Sequence, residues 1–166
     1  MLIVFSGLPG TGKTTLAQAL ARTLNASYLR IDTIEDQLLA DGGDVLVTSG
    51  TGYRVAYAMA EDNLRLGRTV IADSVNPIKL TRKAWRDVGR RSGSIVVDVQ
   101  VICSDKTQHR YRIEARNPDT RGSNWLEIIN RDLDAVDQAT IVIDTARQTV
   151  EQSLVALQAA VCARMP

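Results

Sequence analysis

The densest chemistry in this sequence is Gly7-Leu8-Pro9-Gly10-Thr11-Gly12-Lys13-Thr14. A glycine, four residues and then Gly-Lys-Thr is the spacing of a phosphate-binding loop. Its glycines permit positive φ and let backbone N–H groups approach phosphate oxygens. The Lys13 ammonium can reach the β- and γ-phosphates, and the Thr14 hydroxyl can ligate Mg²⁺. A helix opening at Lys13 would aim its positive end at the anion. The loop follows the apolar run Leu2–Ser6 and leads into Lys13–Leu24, where Leu16, Leu20 and Leu24 recur at helical spacing. Strand, loop and helix together argue against a chance glycine-rich turn. The expected nucleotide-binding set is Gly7, Pro9, Gly10, Thr11, Gly12, Lys13, Thr14 and Thr15, with ATP and Mg²⁺ as the implied cofactors.

Two carboxylates stand where such a loop could use them. Asp32 follows the strand-like Tyr28-Leu29-Arg30-Ile31, and Asp73 follows Thr69-Val70-Ile71-Ala72. Ligands of open α/β sheets bind at the carboxyl ends of strands. Transfer of a phosphoryl group to a hydroxyl needs a carboxylate to orient the acceptor and take its proton, a role expected for Asp32. Asp73 is expected to help hold Mg²⁺ or to position the acceptor. The plainer alternatives are a helix cap for Asp32, with Glu35 as companion, and a turn residue for Asp73.

Downstream, His109-Arg110-Tyr111-Arg112-Ile113-Glu114-Ala115-Arg116 carries a run of cations. Arg112 and Arg116 lie four apart and share one helical face. A guanidinium from a closing lid can neutralise charge developing on a transferring phosphoryl group. Both arginines are therefore candidate catalytic and ATP-binding residues, on a lid of roughly 108–123. A solvated helix face, with Arg110 and Glu114 paired, is the alternative. His109, the only histidine, reads as a solvated lid residue. Trp85 and Trp125 read as core, and Tyr53 and Tyr57 as core packing more than acceptor stacking.

The elements that must hold these residues alternate. Leu2–Ser6, Ser27–Ile31, Thr69–Asp73, Ser94–Cys103 and Thr140–Asp144 are expected strands. Helices are expected over Lys13–Leu24, over Gly52–Leu66 with Val55, Met59 and Leu66 on the apolar side, and over Ile78–Arg91 with Leu80, Ala84 and Val88. Two more are expected over Ser123–Val136, with Trp125, Ile129, Leu133 and Val136, and around Val150, Leu154, Leu157 and Val161. Strand–helix alternation over 166 residues predicts one α/β domain, 1–166, built on a parallel sheet.

A formal net charge of +1 with 23% charged residues gives no sign of broad nucleic-acid or membrane attraction. Leu2–Phe5 is too short for a signal peptide and lacks a basic leader. Cys103 and Cys162 fit no metal-ligand spacing and read as buried free thiols, which suits a reducing cytoplasm.

With these residues in view, the chain resembles the P-loop kinases of the predicted-kinase (AAA_33-like) group. That group is related to the kinase domain of phage polynucleotide kinase and, more distantly, to zeta toxins, chloramphenicol phosphotransferase and gluconate kinase. The resemblance rests on Gly7–Thr15, Leu29–Asp32, Asp73-Ser74-Val75-Asn76-Pro77 with Trp85 downstream, and Arg112 with Arg116. It implies a five-stranded parallel sheet in the order 2-3-1-4-5, flanked by helices in a three-layer sandwich. It also implies Asp32 as general base, Arg116 as a lid residue on ATP, and Asp144-Thr145-Ala146-Arg147 beside the adenine. One departure bears on the acceptor. The polynucleotide kinase has an arginine three residues after its base, where it contacts nucleic-acid phosphate, and this chain has Glu35. The expected activity is transfer of the γ-phosphate of ATP to a hydroxyl of a small molecule such as a nucleoside, sugar or antibiotic. The alternatives are a polynucleotide 5′-hydroxyl kinase and an ATP-binding regulatory module that hydrolyses slowly.

Overall fold

The structure is a computed structural model that describes residues 1–166 except 41, 43, 46–48, 116–124, 132, 133, 136, 139 and 166. Five parallel strands form one sheet: β1 (Leu2–Ser6), β2 (Ser27–Arg30), β3 (Val70–Asp73), β4 (Val96–Ile102) and β5 (Ile141–Asp144). Their order is β2-β3-β1-β4-β5, as the resemblance implied. The helices among the described residues are α1 (Lys13–Leu24), α2 (Ile31–Ala40), α3 (Thr51–Arg65), α4 (Lys79–Arg91), α5 (Lys106–Glu114), α6 (Trp125–Ile129) and α7 (Val150–Cys162).

Alternate residues of the central strands feed two cores, because successive side chains of a strand point to opposite faces. Ile3 and Phe5 of β1 join Ile71, Val97, Val99 and Val101 beneath Leu16 and Leu20 of α1 and Leu157 and Val161 of α7. Leu2 and Val4 join Val70 and Ala72 beneath Ala56, Ala60 and Leu64 of α3 and Trp85 and Val88 of α4. Both faces are covered, which is why β1 reads as a continuous apolar run.

The structure corrects several details. Strand β2 stops at Arg30, and Ile31 already begins α2. Helix α3 buries Gly52, Ala56, Ala60 and Leu64, while Val55, Met59 and Leu66 are exposed. Small residues let the helix backbone come close to the sheet, so the larger ones are left outside. In α4, Leu80 is exposed and Arg82, Trp85, Val88 and Gly89 face inward. Of the helix expected over Ser123–Val136, the structure describes Trp125–Ile129, and Leu133 and Val136 lie outside the described residues. Cys103 is buried as expected, but Cys162, at the end of α7, is exposed.

Strand register levels the site. Phe5 of β1 and Arg30 of β2 both pair with Asp73 of β3. The loop at Gly7, the carboxylate of Asp73 and Asp32 in the first turn of α2 therefore share the carboxyl edge of the sheet.

Candidate active site

Residues 7–12 turn the chain from β1 into α1. Gly10 and Gly12 hold φ of 83° and 90°, backbone that glycine adopts without strain. No side chain caps α1 at Gly12, so its first-turn N–H groups have no side-chain acceptor at the cap and suit an anion. Gly7 N–H donates to the Val75 carbonyl at 3.1 Å, which ties the loop to the segment after β3. That segment is fixed in turn by Arg82, whose buried guanidinium donates to the carbonyls of Asn76, Pro77, Asp134 and Ala135 at 2.9–3.4 Å.

Lys13 and Asp73 meet across the sheet edge. Lys13 Nζ donates to Asp73 Oδ1 at 3.1 Å, and both side chains are almost wholly buried. The other carboxylate oxygen accepts from the Tyr28 hydroxyl at 2.7 Å. Burial first, then the hydrogen bond to Asp73 and its charge, push the Tyr28 phenol well above its ordinary value. Asp73 thus belongs to the phosphate loop's own hydrogen-bond network, not to a simple turn.

Asp32 lies in the first turn of α2. Its carboxylate is 41% exposed and accepts from the Arg30 guanidinium at 3.1 Å. Beside it α2 packs closely on α3: a Cβ on Gly52 would stand 2.6 Å from Glu35 Cγ. Tyr53, from the same turn of α3, accepts from the Asn76 backbone N–H at 3.3 Å. Burial pushes the Tyr53 phenol up, and Glu35 and Asp32 add to that as nearby negative charges. Tyr57 packs edge-on to the fully buried Trp85, ring centroids 4.6 Å apart, so both serve the core.

On the opposite side of the loop opens a cleft of about 260 Å³, lined by Gly10, Gly12, Thr15, Leu16, Arg112 and Thr145, with α7 residues Val150 and Ser153 at its far wall. Arg112 donates to Thr145 Oγ at 2.8 Å and to the Thr145 carbonyl at 3.1 Å. The resemblance set the β5–α7 loop beside the adenine, and this is where that loop meets the phosphate loop. Arg112 thereby stands on the Thr145 side. Arg116 and the second half of the expected lid, 116–123, lie outside the described residues.

His109 departs from its expected solvated position. It is 5% exposed, its Nε2 donates to the Pro9 carbonyl at 2.8 Å, and its ring stands edge-on to Trp125 with centroids 5.1 Å apart. Tyr28, Arg82 and His109 had no spacing signal that tied them to the site, because each reaches it across 45 to 100 residues of sequence or from another layer.

Among the described residues, no group of three or more His, Cys, Asp or Glu is arranged to hold a metal, and no helix is long and apolar enough to cross a membrane. A Mg²⁺ site of the kind expected here needs only a carboxylate and a hydroxyl beside the nucleotide phosphates. Asp73 at the strand end and Thr14 in the first turn of α1 fit that donor set.

A family model described as an AAA domain (AAA_33) matches residues 2–138. A protein of Aeropyrum pernix named "Probable adenylyl-sulfate kinase" is 28% identical over 114 residues, covering 63% of this chain and 60% of that protein. Among solved structures, a sugar kinase from Janibacter sp. HTCC2649 aligns with a TM-score of 0.74 at 18% identity, over 97% of this chain and 94% of that one. The Mycobacterium tuberculosis APS kinase CysC, in complex with AMPPNP and APS, aligns with a TM-score of 0.72 at 18% identity, over 96% of each chain. At such identities the likeness to these structures is one of fold.

Proposed function

The chain belongs to the AAA_33 family of AAA domains, and from that membership we propose that it is an ATP-dependent phosphotransferase whose acceptor is a hydroxyl of a small molecule. The observation that carries this reading is the shared level of three groups. The phosphate loop, the Lys13–Asp73 pair and Asp32 all lie at the carboxyl edge of neighbouring strands. A bare nucleotide switch needs the loop but not the exposed carboxylate beside it. The kinase names of the A. pernix relative and of the two structural neighbours support the same class.

In this reading the nucleotide base enters the cleft beside Thr145, and the phosphates rest on the N–H groups of residues 7–14. Lys13 leaves Asp73 and moves to the β- and γ-phosphates, exchanging one anionic partner for another. Asp73 and Thr14 would hold Mg²⁺, which supplies charge neutralisation on the phosphates. Asp32, open to solvent on one side, orients the acceptor hydroxyl and takes its proton as the acceptor oxygen bonds to the γ-phosphorus, while the bond from that phosphorus to the β–γ bridging oxygen breaks and ADP leaves. Arg112 and Arg116 are the candidate cations for charge on the transferring group, and the compartment expected for such an enzyme is the cytoplasm.

The acceptor faces α2 and α3, where Asp32, Glu35 and Tyr53 gather. Glu35 stands where a polynucleotide kinase of the resembled group has an arginine, so a small hydroxyl compound is favoured over a nucleic-acid end. The test is ADP release from ATP, with and without a panel of nucleosides, sugars and hydroxyl-bearing antibiotics, followed by detection of the phosphorylated product. Release stimulated by an acceptor supports the reading. Slow release that no acceptor stimulates would leave a regulatory ATP-binding module as the better description.

A further inference from the structure

A loop that wraps a phosphate has to turn its N–H groups inward, so its carbonyls point outward. An outward carbonyl sealed from water needs a donor. Three loop carbonyls take theirs from a side chain. Leu8 O accepts from the Thr11 hydroxyl at 2.9 Å, Thr11 O from the Thr145 hydroxyl at 2.8 Å, and Pro9 O from His109 Nε2 at 2.8 Å. The first donor lies within the loop and the second on the adjoining β5–α7 turn. The third comes from the middle of α5, a helix expected to be a solvated lid segment. A carbonyl only accepts, so Nε2 carries the proton.

The ring is held in place for this contact. His109 is buried, and it stands edge-on to Trp125 at an interplanar angle of 87°. One turn on, Ile113 closes over Gly10: a Cβ there would lie 2.6 Å from Ile113 Cγ1 and 3.2 Å from His109 Cδ2. Helix α5 therefore forms the outer wall of the loop at Pro9 and Gly10. Asp105 caps that helix through the N–H groups of Thr107 and Gln108.

We propose that His109 is a positioning residue for phosphate binding, which fixes the Pro9–Gly10 peptide plane so that the Gly10 N–H faces the nucleotide. No peptide bond among the described residues is cis. In a trans peptide the C=O and N–H point in opposite directions, so holding the oxygen on the α5 side turns the N–H to the other side. Glycine makes this control necessary. Its tolerance of both signs of φ lets the plane flip at little cost, and a flipped plane would present an oxygen to the phosphates. Without the His109 donor, only the fraction of molecules with the plane correctly set would bind tightly.

The inference rests on the part of the proposed function in which the loop binds nucleotide phosphate, and is independent of the acceptor. The experiment compares the full chain with His109→Phe, which keeps a ring against Trp125 but has no donor, and with His109→Gln, whose amide Nε2–H has similar reach. Dissociation constants for ADP and for adenosine are measured by calorimetry, with melting temperatures alongside. His109→Phe is expected to weaken ADP about 10-fold and to leave adenosine unchanged, with His109→Gln recovering most of the loss. Equal weakening of ADP and adenosine would overturn the proposal, as would unchanged ADP affinity or equal behaviour of the two variants. A second measurement needs no variant. In the ¹⁵N-labelled wild-type protein the Gly10 amide proton is expected to shift downfield on ADP addition, and an unmoved resonance would also overturn it. A wild-type chain that binds no ADP defeats both this inference and the phosphate-loop reading. A chain that binds ADP but phosphorylates no acceptor defeats only the transfer reaction, and the His109 variants then decide the inference by themselves.

Discussion

Lys13 Nζ lies 3.1 Å from Asp73 Oδ1, with both side chains sealed from solvent and the second carboxylate oxygen held by Tyr28. The lysine proposed to meet the nucleotide is thus already paired, with the carboxylate proposed to share its site. A buried charge pair of this kind gains little net stability while intact, but losing one partner leaves the other uncompensated.

Lys13→Met is therefore expected to do two things. Phosphate transfer falls below detection, and the fold loses stability, on the order of 3–5 kcal/mol, because Asp73 is left buried without its cation. The double variant Lys13→Met/Asp73→Asn recovers much of the stability and none of the activity. Denaturant unfolding and a turnover assay check both. Near wild-type turnover in the single variant would remove the phosphate-loop assignment.

Asp32→Asn is expected to fold normally, since the side chain is part exposed and an amide oxygen can still accept from Arg30. The transfer rate is expected to drop about 10²–10⁴-fold, the scale of a positioned base, with ATP affinity retained. A sharp fall in melting temperature, with the remaining folded enzyme fully active, would make Asp32 a structural residue of α2 and place the base elsewhere.

Tyr28→Phe removes only the hydroxyl that donates to Asp73 Oδ2 at 2.7 Å. If Asp73 holds Mg²⁺, its orienting partner matters to metal affinity, typically by 10–100-fold. The Mg²⁺ concentration for half-maximal activity is expected to rise, with kcat at saturating Mg²⁺ near that of wild type. An unchanged Mg²⁺ dependence would separate Asp73 from the metal.

The α5 cap predicts a pH effect. The Gln108 N–H, then Arg147 and the Thr107 N–H, hold the Asp105 carboxyl below its ordinary value. The folded value lies below the unfolded one, so the unfolded chain binds more protons in acid and the contribution is lost as pH falls. It is complete above the unfolded value of about 3.9 and fades below it. Asparagine caps a helix nearly as well but does not titrate. Asp105→Asn is expected to match wild type near neutrality and to show a shallower fall in melting temperature below about pH 4. Parallel acid limbs in the two proteins would refute this.

Acceptor class is read from salt. A polynucleotide held through several phosphates binds more weakly as salt rises, because binding releases counterions condensed on the strand and that release gains less when the solution already holds many. With Glu35 beside Asp32 and a net charge of +1, the enzyme is expected to phosphorylate a small hydroxyl compound better than an oligonucleotide with a free 5′-hydroxyl. Its Michaelis constant for the small acceptor should change little with ionic strength. Efficient, salt-sensitive phosphorylation of the oligonucleotide would reverse that ranking.

The sequence by itself determined whatever depends on near neighbours. The phosphate loop is legible because its function is carried by backbone and by residues within one turn of each other. Strand–helix alternation was enough for a covered parallel sheet, and the apolar runs were enough to put Asp73 at the end of one strand and Asp32 just past another. Which partner each side chain takes was decided only by the tertiary structure. Lys13 and Asp73 are 60 residues apart, and Pro9 and His109 are 100 apart, distances across which spacing carries no signal. Helix faces failed for a related reason. Hydrophobicity marked Val55, Met59 and Leu66, but α3 turns Ala56 and Ala60 to the sheet, because burial follows how closely two backbones can approach and not only how apolar a side chain is.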